Sequence, residues 1–153
     1  MESATNQAFV REIIAGNRYL NLATTDGEEP WVATIEYVHD DELNFYFFST
    51  DDARHSRHIE ENPTVAISIY SSGQPDYSGD LSANLNGVQM RATARRLAEE
   101  EYPEMISGAI EAFDLPMPPY SAYKIEPTAF YIPRVENGIN MRVRVENPEK
   151  AVE

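Results

Sequence analysis

The chain contains no cysteine. Disulfide staples, thiolate catalysis and thiolate metal sites are therefore excluded. Lysine is almost missing too, with only Lys124 and Lys150 present. No run approaches the roughly 20 apolar residues that a membrane-spanning helix needs. The first residues, Met1 to Gln7, are polar and lack a basic stretch followed by an apolar one, so no secretory signal is visible. A cytoplasmic location with no membrane partner is expected. Positive charge is scarce: Lys+Arg number 12 against 26 Asp+Glu, a net charge of -14. So negative a surface repels phosphate backbones and anionic lipids, which argues against nucleic-acid or membrane binding. Many acids with few lysines suit a salt-rich cytoplasm; an ordinary acidic protein carries the same balance.

What remains is a globular pattern. At 153 residues the chain has the length of one ordinary domain, expected to span 1–153 with flexible ends at 1–5 and 147–153. Hydrophobic residues make up 42%, enough for a packed core without staples. Thr5 or Asn6 can cap a short helix to about Ala15, whose Phe9, Val10, Ile13 and Ile14 recur at helical spacing. Strands follow: Tyr19 to Thr24, Trp31 to Val38, and Leu43 to Ser49, with Asp26-Gly27 as the first turn. Asp51 or Asp52 can cap a helix from Ala53 to Glu61, which Asn62-Pro63 ends. Thr64 to Tyr70 is a strand, 71–84 a polar excursion, and Val88 to Leu97 alternates again. An acid-rich helix is predicted over Ala98 to Phe113, then a stiff connector with Pro116, Pro118 and Pro119. Strands Tyr123 to Pro133 and Ile139 to Val145 close the series. The fold class is mainly β: an antiparallel barrel of six to seven strands with short helices, closed so as to hide its edges.

The most informative segment is Arg54-His55-Ser56-Arg57-His58. It gathers four basic or imidazole residues in a chain that has 12 Lys+Arg and 3 His. They open a helix, where free N–H groups and the macrodipole already favour an anion. Bases at that end, in so acidic a chain, suit an external phosphate, and the forked guanidinium of Arg binds two of its oxygens at once. Ser49 and Thr50 can add hydroxyls. The alternative is a solvated helix face with i,i+4 pairs to Glu60 or Glu61. His55 and His58 stand near metal-ligand spacing, but no third ligand accompanies them, so no metal site is expected.

The text LATTDGEEPWVATIEYV (22–38), then FYFFSTDDARHSRHIEENPTVAISI (45–69), resembles the pyridoxamine 5'-phosphate oxidase-like, FMN-binding split-barrel family. NGVQMRATARRL (86–97) is similar to the strand that leads that family's chain back into the barrel. The resemblance implies that Arg54 and His55 hold the FMN phosphate, with Ser49 and Thr50 beside them. It implies that Ala33, Thr34 and Ile35 line the isoalloxazine and that Phe48 flanks it. It also implies a homodimer with the cofactor at the interface and Gln89 reaching across from the other subunit. Deazaflavin F420 and haem are the alternative cofactors.

Departures matter. The family's oxidases usually flank the phosphate arginine with serine and lysine; here Ala53 and His55 stand there. His55 can donate to phosphate, best when protonated near or below neutral pH. Residues 31–38 hold none of the basic residues the oxidases carry on that strand, and Met141-Arg142-Val143-Arg144 lacks the histidine of their C-terminal signature. True pyridoxamine phosphate oxidation is therefore not expected, and the excursion at 71–84 with the strand Gly87 to Leu97 resembles the general-stress and flavin-reductase-like branches.

Trp31 reads as a rim or core residue, with stacking on a flavin as its second use. The run Phe45 to Phe48 reads as barrel core and dimer interface. No nucleophile triad, P-loop or dinucleotide fingerprint occurs. The expected function is an FMN-dependent oxidoreductase passing hydride to a small oxidised substrate or oxygen; the flavin supplies the chemistry and no acid–base pair is required. The alternatives are a non-enzymatic flavin or haem binder of stress-response type, and a barrel without cofactor that acts as an interaction protein.

Overall fold

The computed structural model describes residues 2–71 and 86–147. Three helices, α1 (Glu2–Ala15), α2 (Arg54–Glu61) and α3 (Glu104–Ala112), accompany eight strands. The strands are β1 (Tyr19–Thr25), β2 (Pro30–Glu36), β3 (Val38–His39), β4 (Phe45–Thr50), β5 (Thr64–Tyr70), β6 (Gly87–Arg96), β7 (Tyr120–Glu136) and β8 (Ile139–Val145). They run in the order β2-β1-β5-β6-β7-β4-β3, with β8 on β7, and every pairing is antiparallel. The two ends of that order, β2 and β3, are separated in the chain by Tyr37 alone, so the sheet curls back on itself as a split barrel.

Tyr37 is where expectation and structure part. The strand predicted over Trp31 to Val38 breaks there into β2 and β3, which gives eight strands rather than seven. The Tyr37 N–H donates to Arg18 O at 2.9 Å and its hydroxyl to Ile14 O at 2.6 Å, so the corner is pinned to the end of α1. Its ring meets Phe45 edge-on at 5.1 Å. Burial pushes its hydroxyl up to about 12.

The barrel interior is filled by alternate residues of the strands, among them Leu20, Leu22, Phe45, Phe47, Ile67, Met90 and Phe130, and plugged by Val10, Ile13 and Ile14 of α1. Each buried aromatic or aliphatic side chain of this kind contributes about 1.5–3 kcal/mol. A second cluster, Tyr46, Leu97, Ile106 and Ala122, lies under α3. This explains the non-alternating run in β4: Phe45 and Phe47 face the barrel while Tyr46 faces α3. The outward side of that run is thus covered within the chain.

Other boundaries move for local reasons. The helix α1 begins at Glu2, before the expected cap. The predicted helix over Ala98 to Phe113 is instead a 3-10 turn at Glu99–Glu101 followed by α3. Pro103 divides them, because proline holds Tyr102 extended and cannot sit inside a helix. The strand β7 extends three residues beyond expectation at each end; it pairs β4 through its first part and β8 through its last. Asn137 and Gly138, at φ 54 and 77, make the two-residue turn into β8. The excursion from residue 72 and the tail from 148 lie outside the described residues.

Candidate functional site

The site forms where β4 hands over to α2. Ala53 is the N-cap, extended, with no side-chain cap bond, and the first turn of α2 holds no acid. Neither Asp51 nor Asp52 caps the helix as expected. Asp51 turns to β7 instead, accepting the Tyr123 hydroxyl at 2.9 Å and standing 3.2 Å from Arg96 Nε. A charge-assisted pair outcompetes a lone backbone amide here. Burial, with Asp51 adding to it, pushes the Tyr123 hydroxyl up to about 12.

Ser49 Oγ and His55 Nε2 lie 2.8 Å apart, so the structure brings these two expected residues together. The His55 ring packs on Phe47 at 5.8 Å. Burial, and then the neighbouring His58, holds the His55 imidazole below its ordinary range. The protonated donor expected near or below neutral pH is thus disfavoured in the free protein. His58, one turn on, faces elsewhere: it is buried and meets Thr24 Oγ1 at 2.9 Å. The two histidines do not share a ligand.

Arg54 is exposed, and its guanidinium carbon lies 4.3 Å from the Trp31 ring centroid. Among the described residues neither Arg54 nor Arg57 forms an ion pair, so the i,i+4 pairs to Glu60 or Glu61 are not made. Trp31 is the rim residue the sequence suggested, at 40% exposure, but its partner is a cation. That contact was not legible beforehand; the two residues are 23 positions apart and meet only because α2 crosses β2.

A groove of about 440 Å³ is lined by Thr34, Ile35, Tyr46, Phe48, Phe113 and Tyr120 among others. Three expected ring-lining residues thus share one concavity. Thr50 pairs with Tyr120 across the β4–β7 ladder, on the groove's side of β4, whereas Ser49 shares the barrel side with Phe47. Ala33 is half-buried opposite Leu22 and does not line this groove. Gln89 sits apart, on the outer face of β6, in a groove of about 450 Å³ with Ala23, Val32 and Ser68. Its Oε1 accepts from Arg142 Nε at 3.1 Å. A larger cavity, about 660 Å³ between Arg96 and Met117, contains none of the expected residues.

A profile of the pyridoxamine 5'-phosphate oxidase family matches residues 7–132. The chain belongs to that family. A UPF0306 protein of Photorhabdus laumondii is 29% identical over 102 residues, covering 66% of this chain and 67% of the relative. Among solved structures, a Clostridium acetobutylicum protein related to general stress protein 26 superposes with a TM-score of 0.66 at 12% identity, covering 92% of this chain and 95% of that one. The haem storage protein HutZ of Vibrio cholerae gives 0.60 at 19% identity, covering 80% and 91%. These likenesses show the split-barrel fold. Strand β2 carries no Lys, Arg or His. No helix among the described residues is long and apolar enough to cross a membrane.

Proposed function

We propose that this chain binds FMN and works as an FMN-dependent oxidoreductase on a small oxidised substrate or oxygen. One observation carries the reading. In a chain of net charge -14, Arg54 opens an uncapped helix whose first turn holds no acid, beside a Ser49–His55 pair. A phosphate monoester supplies the missing anion. The residues fit the group: Arg54 and His55 hold the phosphate, with Ser49 and Thr50 donating hydroxyls. The groove of about 440 Å³ lies in the range of small-molecule sites and offers Thr34, Ile35 and Phe48 to the ring, with Ala33 next to Thr34 on β2. Tyr46 and Phe113 line it too. When bound, the flavin supplies hydride transfer.

The working unit in this reading is one domain, present as a cytoplasmic homodimer. Among the described residues only β1 pairs with β2, and Val32 on that strand is 61% exposed, which supports a partner against it. Gln89, in the groove beside Val32, then meets the cofactor of the other subunit.

The second reading is a flavin or haem holder without turnover. The absence of basic residues on β2 and the likeness to a haem storage protein favour it. Absorption spectra of the purified protein separate the cases: flavin bands, a Soret band, or neither. Mass measurement of the extracted chromophore distinguishes FMN from F420. Bleaching by NADH or NADPH, followed by recolouring in air, is the result expected of the enzyme; a flavin that stays oxidised removes the oxidoreductase.

A further inference from the structure

Arg54 has acids all around it in sequence: Asp51 and Asp52 before, Glu60 and Glu61 after. An exposed guanidinium in that company is normally drawn to a carboxylate, and a carboxylate would occupy the edge a phosphate must use. Two features prevent this. Asp51 is taken by Tyr123 at 2.9 Å and Arg96 at 3.2 Å. Arg54 itself lies over Trp31, its guanidinium carbon 4.3 Å from the ring centroid, with no ion pair or hydrogen bond among the described residues.

The geometry of that contact matters. An aromatic face attracts the guanidinium through its flat side. The N–H donors lie in the guanidinium plane and stay free. Trp31 can therefore hold Arg54 in place without neutralising it and without filling its fork. Strand β2 carries no Lys, Arg or His to reinforce the phosphate grip from that side, and the chain's one tryptophan stands there instead.

We propose that Trp31 is a positioning residue for the phosphate grip: its ring holds Arg54 away from neighbouring carboxylates with its hydrogen-bonding edge open to a phosphate monoester. This rests on the FMN reading. It differs from direct stacking of Trp31 on a flavin, because Trp31 then acts only through Arg54.

The test compares wild type, Trp31→Leu and Trp31→Phe, each with Arg54 present and with Arg54→Ala. The probes are FMN and riboflavin, which lacks the phosphate. Trp31→Leu is expected to weaken FMN about two- to fivefold, the worth of an exposed cation–π contact, and Trp31→Phe to recover most of that. Riboflavin affinity is expected to be unchanged by Trp31→Leu. In the Arg54→Ala background Trp31→Leu is expected to cost nothing further. An equal loss for riboflavin, or an undiminished loss without Arg54, would overturn the proposal in favour of direct ring stacking. A readout free of flavin keeps the two readings apart. Inorganic phosphate is expected to change the emission of the lone tryptophan in wild type and to leave it unchanged in Arg54→Ala. If FMN fails to bind while that response appears, the cofactor assignment falls and the role of Trp31 stands. If neither phosphate nor FMN alters the emission, Trp31 has no such role.

Discussion

Strands β4 and β2 flank the same candidate site and are built in opposite ways. Strand β4 is covered on both faces, with Phe45 and Phe47 in the barrel core and Tyr46 under α3, and it has strand neighbours on both edges. Among the described residues strand β2 pairs only with β1, and it leaves Val32 and Trp31 exposed. Side chains that must be placed accurately, Ser49 and through α2 His55 and Arg54, hang from the buried strand. Those that offer surface, Thr34 and Trp31, lie on the open one. The lesson is that half of this site is fixed by packing, while the other half awaits whatever docks on the edge.

The largest expected difference between the two strands is in stability. Phe47→Ala is expected to lose about 3–5 kcal/mol in urea unfolding, the usual result of emptying a packed aromatic site. Val32→Ala is expected to change monomer stability by less than about 0.5 kcal/mol, as at other exposed positions. Comparable losses at both positions would erase the contrast.

Next comes the grip. Arg54→Ala is expected to lose roughly 1.5–3 kcal/mol of FMN binding, the range for charge-assisted hydrogen bonds, with unchanged unfolding. Equilibrium dialysis reads the first quantity and a thermal melt the second.

A smaller effect follows from His55, whose imidazole burial holds below its ordinary range near 6.5. As pH falls below that value the unfolded chain takes a proton that the folded protein refuses. The stability this histidine confers is therefore intact above about 6.5 and lost as pH drops through the folded value. Bound FMN is expected to reverse the preference, because its phosphate favours the charged ring. Melts at pH 7.5 and 5.5, for wild type and His55→Gln with and without FMN, test this; a variant with the same pH slope as wild type would exclude His55 as its source. The smallest expected change in the folded monomer is that of Val32→Asp, which leaves monomer unfolding nearly unaltered while shifting sedimentation from dimer to monomer. A protein that sediments as a monomer before the change has no partner on that edge.

Much of this was legible in the sequence because local signals dominated. Alternation marked β1 and β5, Asp26-Gly27 marked the first turn, and the cluster from Arg54 marked the candidate site. The misses share a cause in contacts made between distant segments. Tyr37 ends a strand because its hydroxyl finds α1. Asp51 leaves the helix it was expected to cap because Tyr123 and Arg96 reach it from β7 and β6. Trp31 meets Arg54 only after the sheet curls. Two misses were local: Pro103 announces the break before α3, and Asn137-Gly138 announces the last hairpin.

The most direct measurement is the ratio of FMN to riboflavin affinity in wild type and in Arg54→Ala. A phosphate held at the start of α2 gives a wild-type ratio of at least about tenfold, falling close to one in the variant. Equal affinity for the two flavins, or a ratio that Arg54→Ala leaves intact, contradicts a phosphate grip at this junction.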